Sequence, residues 1–156
     1  MIDLHCHILP GLDDGSQSFE ESLAMADMAA SHGIRQIAVT PHCVSGRVGE
    51  VLEGVQLLQA LLEEEHIPVR LYPGMEIFGT YDTARLLRER KLLTLGGSRY
   101  PLIEFAFHTD GEEETEILQS VIDAGFTPLV AHPERYSYIC DEPELVNRWR
   151  AMGCLF

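Results

Sequence analysis

The chain has 156 residues, 46% of them hydrophobic and 23% charged, which suits one domain with a sizeable core. Its 11 basic against 25 acidic side chains give a formal net charge of −14, which argues against nucleic acid and anionic membrane surfaces as partners. No apolar run approaches the roughly 20 residues of a membrane-spanning helix, so membrane insertion is not expected. Four cysteines without a Cys-x-x-Cys pair, and no signal peptide, favour a cytoplasmic protein.

Strand-like and helix-like segments alternate along the chain. In chain order we predict strand 2–5, helix 18–31, strand 34–40, helix 48–66, strand 69–77 broken at Pro73-Gly74, helix 83–90, strand 102–107, helix 112–124, strand 127–131 and helix 141–152. Ser18 and Glu21 have the spacing of a capping box, and Gly33 is placed to end the same helix. Residues 153–156 resemble the opening of a sixth strand.

This β-α alternation is typical of a parallel sheet or a (β/α) barrel. A complete barrel takes roughly 250 residues, whereas this chain supplies about five β-α units and the start of a sixth. We therefore expect an α/β fold that is a partial (β/α) barrel, with a domain at 1–156 that is incomplete at its C-terminus. A smaller open α/β sheet is the structural alternative.

Two histidines end the first predicted strand, in Ile2-Asp-Leu-His5-Cys-His7, and two carboxylates follow at Asp13 and Asp14. Successive side chains of a strand alternate between its faces, so His5 and His7 point the same way. Two imidazoles with a carboxylate close by form half of a divalent-metal site.

Each later β-α unit adds at least one side chain of the type that binds metals. These side chains lie at or near the C-terminal ends of the predicted strands, where barrel enzymes carry their chemistry: His42, Glu76, Glu104 and His132. Glu104 stands inside an apolar run, where a carboxylate is costly to bury unless a charge or a metal pairs with it. A mixed set of imidazole and carboxylate ligands suits Mn²⁺, with Fe or Zn²⁺ as alternatives.

The sequence resembles the polymerase-and-histidinol-phosphatase (PHP) superfamily, and within it the manganese-dependent bacterial protein-tyrosine phosphatases of capsular and exopolysaccharide biosynthesis. The resemblance rests on segments in order along nearly the whole chain: Ile2-Asp-Leu-His-Cys-His-Ile-Leu-Pro-Gly-Leu-Asp-Asp-Gly15, Thr40-Pro-His42, Gly74-Met-Glu76-Ile, Ser98-Arg-Tyr-Pro-Leu-Ile-Glu104-Phe and Ala131-His-Pro-Glu-Arg-Tyr136.

The resemblance implies two to three divalent ions and assigns their ligands. His5, His7 and Glu76 would hold one ion, Glu76 would bridge to a second held by Glu104 and His132, and Asp14 with His42 would hold a third. Asp13 would orient a neighbouring histidine. The late Asp-x-His pair and the further arginine of that family have no counterpart in these 156 residues.

The implied reaction is hydrolysis of phosphotyrosine by a metal-activated water, with Arg135 holding the phosphate. Arg47 is a second candidate for phosphate contact, although a solvated loop arginine is the simpler interpretation. The implied partner is a phosphotyrosine protein, namely a membrane-associated tyrosine kinase of polysaccharide synthesis, and an oligomer stays open.

Three other functions compete with this hypothesis: a small-molecule phosphatase such as one for histidinol phosphate, a catalytically inactive metal-binding fragment, and a metal-dependent amidohydrolase. No cysteine is followed six positions later by arginine, so a cysteine-based phosphatase mechanism lacks support.

Overall fold

A computed structural model describes residues 1–42 and 47–156. The strands are β1 Ile2–Cys6, β2 Gln36–Val39, β3 Arg70–Pro73, β4 Glu76–Phe78, β5 Leu102–Glu104 and β6 Leu129–Val130. The α-helices are α1 Phe19–Ser31, α2 Val48–Glu64, α3 Thr83–Arg88, α4 Glu112–Asp123, α5 Ser137–Asp141 and α6 Glu144–Met152. Two short 3-10 turns cover Leu95–Gly97 and Pro133–Arg135.

The strands form two three-stranded parallel sheets, ordered β1-β2-β3 and β4-β5-β6. A parallel bridge between His42 and Glu76 joins the two sheets. The third predicted strand is thus two strands, because Pro73-Gly74 interrupts the pairing where that prediction placed the break. The C-terminal ends of all six strands face the same side of the molecule, since every pairing is parallel.

Local sequence signals explain the first two helices. The Ser18 hydroxyl accepts the N–H of Glu21 at 3.2 Å and caps α1. The Glu21 carboxylate accepts the N–H of Gln17 at 2.7 Å, one residue earlier than a standard capping box requires. Helix α2 buries one apolar stripe against the sheet, formed by Val51, Val55, Leu58 and Leu62.

The C-terminal third departs from the prediction. The helix expected over 141–152 is present as α6, which begins three residues later at Glu144, and the short helix α5 before it was not predicted. Glu142 precedes Pro143 and leaves the helical region, with φ −130° and ψ 77°, because the proline ring disfavours a helical residue before it. The sixth strand expected at 153–156 is reduced to a single parallel bridge between Leu155 and Leu129.

The core lies between the sheets and the helices and includes Trp149, which is fully buried. The strands do not close into a barrel within the described residues, and apolar side chains stay exposed near the outer strands: Ile2, Leu4, Leu155 and Phe156. The prediction of an α/β fold with parallel strands is confirmed. Among the described residues, no helix combines the length and the apolar character needed to cross a membrane.

Candidate metal centre

Most of the predicted metal ligands lie at or near the C-terminal ends of the strands, and Glu76 is the exception. His5 lies on β1, Glu76 begins β4 and Glu104 ends β5. Three further histidines follow strands: His7 after β1, His42 after β2 and His132 after β6. One open cleft is lined by His5, His7, Asp14, Gly15, His42, Glu76, His132 and Arg135. The six parallel strands therefore bring together predicted metal ligands that are up to 127 positions apart in the chain, from His5 to His132.

Glu76 is the centre of this cluster and is only 1% exposed. Its Oε1 lies 3.1 Å from Nε2 of His5 and 2.8 Å from Nε2 of His132. Its Oε2 lies 3.1 Å from Nε2 of His7 and 3.2 Å from Nδ1 of His42. One buried carboxylate is thus shared by four imidazoles, two on each oxygen.

The contacts between Glu76 and the histidines shift the pKa values of Glu76 and His7. The hydrogen bond to Glu76 raises the pKa of His7 to about 9 against the opposing effect of burial, and Asp13 adds to the rise. Burial alone would raise the pKa of Glu76, but hydrogen bonds from His5 and His7 hold the pKa of this carboxyl well below its usual range. Glu76 is therefore an anion at neutral pH, while His7 carries a proton in the metal-free chain.

Asp13 holds the loop after β1 in place. Its Oδ2 lies 2.7 Å from Nδ1 of His7 and accepts the backbone N–H of His42 at 2.8 Å. Its Oδ1 accepts the N–H of Gly15 at 2.9 Å. This contact turns the free nitrogen of His7 towards Glu76, which is how a carboxylate behind a histidine orients a metal ligand.

Gly15 is required by a close approach of two backbones. A Cβ atom at this position would lie 2.2 Å from the carbonyl oxygen of His7. No L side chain fits there without displacing the loop that carries Asp13 and Asp14.

The remaining ligands lie on the other side of Glu76. Nδ1 of His42 is 2.9 Å from Oε1 of Glu104, and its Nε2 is 3.7 Å from Oδ1 of Asp14. Nε2 of His132 is 3.8 Å from Oε2 of Glu104. The backbone of His132 is left-handed, with φ 32° and ψ 57°, and its Nδ1 is buried without a hydrogen-bond partner among the described residues.

Three groups of donor atoms lie within 4.8 Å of one another in the described part of the chain: His5-His7-Glu76, His7-Asp14-His42 and His42-Glu76-Glu104. The first is the set that the resemblance implied for one ion. The third pairs Glu104 with His42, whereas the resemblance paired Glu104 with His132. Glu76 belongs to two groups and therefore can bridge two ions.

The donor chemistry of this cluster suits divalent metals. Nε2 of His5 and Nε2 of His7 are 3.1 Å apart, so both imidazoles cannot be cationic at the same time without strong repulsion. Neutral imidazoles and carboxylates are the usual ligands of Mn²⁺, Fe or Zn²⁺, so His7 would lose its proton when an ion binds. The residues present therefore fit a multi-metal site.

The two arginines are placed differently. Arg135 lines the cleft, and its guanidinium carbon lies 4.7 Å above the ring of Phe107. Arg47 is directed elsewhere: it forms an ion pair with Glu50 at 2.7 Å and donates to the carbonyl of Leu12 at 3.1 Å. The contact of Phe107 with Arg135 was not predicted, because an aromatic residue at the end of an apolar strand is typical of the core.

A family model described as "Capsular polysaccharide synthesis, CpsB/CapC" matches residues 1–156. Tyrosine-protein phosphatase YwqE of Bacillus subtilis (strain 168) is 37% identical over 94% of this chain and 59% of its own length. Tyrosine-protein phosphatase CpsB of Streptococcus pneumoniae is 33% identical over 99% of this chain and 65% of its own length. The chain thus spans about three fifths of the length of the curated relatives it matches.

The fold also matches a solved structure. A chain from crystal structures of YwqE from Bacillus subtilis and CpsB from Streptococcus pneumoniae, described as unique metal-dependent tyrosine phosphatases, superposes with a TM-score of 0.92 at 36% identity. The match covers 99% of this chain and 64% of that one. The partial-barrel arrangement of parallel strands is therefore shared with that structure over nearly the whole of this chain.

Proposed function

Because the chain belongs to the CpsB/CapC family of capsular polysaccharide synthesis, we propose that its residues form the metal site of a metal-dependent protein-tyrosine phosphatase. The observation that carries the proposal is the single buried carboxylate of Glu76, shared by four imidazoles at the ends of parallel strands. We propose residues 1–156 as a PHP-type phosphoesterase domain. The late Asp-x-His pair expected from the resemblance has no counterpart in these residues.

We propose Mn²⁺ as the resident ion, in two to three sites, two of which share Glu76. His5, His7 and Glu76 would hold the first ion. Glu104 and Glu76 would hold the second together with His42 or His132, both of which reach one of the two carboxylates. Asp14 and His42 would hold the third, with His7 within reach of the same group. The oxygen-rich share of this donor set favours Mn²⁺ over Zn²⁺.

Bound divalent ions would supply a water acidified to near-neutral pKa and positive charge opposite the phosphoryl oxygens. The chain's own residues would do the positioning. Arg135 projects into the same cleft, where its planar fork of donors suits two oxygens of a phosphate. Asp13 fixes the ring of His7, and Phe107 supports the Arg135 guanidinium from below. Arg47 has its donors engaged by Glu50 and Leu12, so a phosphate contact would require it to leave them.

The proposed substrate is phosphotyrosine on a protein, and the specific candidate is a membrane-associated tyrosine kinase of polysaccharide synthesis. Support comes from the two relatives above, which are named tyrosine-protein phosphatases. We place the protein in the cytoplasm, since the thiols of Cys6, Cys140 and Cys154 are free and Cys43 lies outside the described residues.

The test measures metal content and substrate preference in the 156-residue chain. Elemental analysis after purification with Mn²⁺ is expected to find two or more ions per chain, and none in a His5→Ala/His7→Ala/Glu76→Ala variant. Initial rates on a phosphotyrosine peptide, the matching phosphoserine peptide and histidinol phosphate then compare substrate classes. Preference for histidinol phosphate would replace the protein substrate by a small molecule.

A matched control distinguishes loss of a metal ligand from loss of negative charge anywhere on the surface. The Glu53→Gln variant removes an exposed carboxylate on α2 that does not line the cleft, and it is expected to bind metal as the wild type does. A folded wild-type chain without bound metal would contradict the proposal. Metal binding without hydrolysis of any of the three substrates would support the inactive metal-binding fragment instead.

A further inference from the structure

Tyr136 connects the ends of two neighbouring strands through its side chain. Its ring is fully buried, and its hydroxyl donates to the carbonyl of Ala131 at 2.9 Å. The same hydroxyl accepts the backbone N–H of Phe105 at 3.1 Å. Phe105 immediately follows Glu104, and Ala131 immediately precedes His132. The hydroxyl therefore contacts the residue next to each of two proposed metal ligands.

This hydroxyl occupies the place of a ladder hydrogen bond. Strands β5 and β6 pair up to Ile103 and Val130, and the N–H of Ala131 still donates to the carbonyl of Ile103 at 2.9 Å. In a regular parallel pair the next bond would run from the N–H of Phe105 to the carbonyl of Ala131. The Tyr136 oxygen stands between these two groups and satisfies both. Strands β5 and β6 are therefore separated by one inserted oxygen atom just before Glu104 and His132, the proposed metal ligands.

We propose that Tyr136 is a positioning residue that sets the separation of Glu104 and His132. The inference rests on the proposed function, because it concerns residues assigned there as metal ligands. Strand pairing alone would bring the two backbones to ladder distance, and the inserted hydroxyl holds them wider. The Tyr136 ring also lies edge-on to the His132 imidazole, with centroids 5.7 Å apart, and so limits its rotation.

The neighbouring Tyr138 provides a matched control. Its ring stacks on that of Tyr136 at 5.3 Å and 5° between planes, and it is 5% exposed. Its hydroxyl is buried without a hydrogen-bond partner among the described residues. Tyr136→Phe and Tyr138→Phe thus remove the same atom from adjacent, stacked and buried rings, but only the first breaks the link between β5 and β6.

The first experiment titrates each purified, metal-free chain with Mn²⁺ alone by calorimetry. Loss of a group that orients metal ligands costs about 10–100-fold in affinity, so we expect Tyr136→Phe to raise the Kd of at least one bound ion within that range. Tyr138→Phe is expected to change it less than about twofold. Circular dichroism of both variants reports whether the fold is kept, and equal Kd values in the two variants would overturn the proposal.

The second experiment begins with the metal-free wild-type chain, so its first result does not depend on a variant that folds. Amide hydrogen exchange of the metal-free wild-type chain is expected to show a protected Phe105 N–H, although β5 ends one residue earlier. In Tyr136→Phe this amide is expected to exchange at least about tenfold faster, and in Tyr138→Phe to stay protected. An unprotected Phe105 amide in the wild type would overturn the inference. Protection at Phe105 in a wild type that binds no Mn²⁺ would instead place the failure in the proposed function.

Discussion

Glu76→Gln removes the charge at the centre of the cluster and keeps the shape of the side chain. In the metal-free chain the main loss is the ion pair with protonated His7, whose Nε2 is 3.1 Å from Oε2 of Glu76. The pKa of His7 is raised from 6.5 to about 9 in the folded chain, chiefly by this hydrogen bond. A histidine with a raised folded pKa stabilises the fold fully below its ordinary pKa, and the contribution disappears as the pH rises through the folded value.

The size of the effect follows from this linkage. With 1.36 kcal/mol per pKa unit, the raised pKa contributes about 2–3 kcal/mol at pH 7 and under about 0.5 kcal/mol at pH 9. Asp13 also holds His7, at 2.7 Å from its Nδ1, and retains part of the shift in the variant. We therefore expect Glu76→Gln to lower the free energy of unfolding by about 1–2 kcal/mol at pH 7, and by a few tenths at pH 9.

The assay is urea denaturation in EDTA at the two pH values, with Glu53→Gln as the exposed control. Adding Mn²⁺ at 100 times its Kd should stabilise the wild type by about 2.7 kcal/mol per site and the variant by less. A destabilisation by Glu76→Gln that is the same at pH 7 and pH 9 would refute the account of the His7–Glu76 pair. Equal stabilisation of both chains by Mn²⁺ would remove Glu76 from the ligand set.

Two further variants address the support of the site and the core separately. Asp13→Asn weakens the contact that orients His7, so we expect about 10–100-fold weaker Mn²⁺ binding with little change in the circular dichroism; an unchanged Kd in a calorimetric titration would contradict the role of Asp13. Leu58→Ala empties a fully buried position of α2 and is expected to cost about 2–5 kcal/mol in urea denaturation, with the number of bound Mn²⁺ ions unchanged. Loss of metal from Leu58→Ala at temperatures where it is folded would mean that packing of the core also determines metal binding.

The sequence predicted the convergence of the ligands because parallel strands place their C-terminal ends together. His5, His7 and His132 end or follow predicted strands, while Glu76 and Glu104 lie within them, and the β-α alternation alone indicated their common location. The break at Pro73-Gly74 was also predicted, since proline has no backbone N–H to donate to a neighbouring strand.

The features that the sequence did not predict include a side chain that takes the place of a backbone hydrogen bond between strands. Strand β5 ends at Glu104, three residues before its apolar run ends, because the Tyr136 hydroxyl takes the next backbone N–H. Helix α5 was not predicted, because its five residues, Ser137–Asp141, are too few to show a helical periodicity. The pairing of Glu104 with His42, at 2.9 Å, depends on side-chain rotamers that no spacing encodes.

The break in the sheet lies under the centre of the proposed metal site. His5, His7 and His42 come from the β1-β2-β3 sheet, whereas Glu76, Glu104 and His132 come from the β4-β5-β6 sheet. The described backbone joins the two sheets by one bridge, while the apolar core continues beneath both. Ions held across this line would act as cross-links between two halves of one folding unit. Loss of the ions would make the strand ends more mobile, while the shared apolar core would still unfold as one unit. Tighter metal binding would therefore also mean a more rigid cleft.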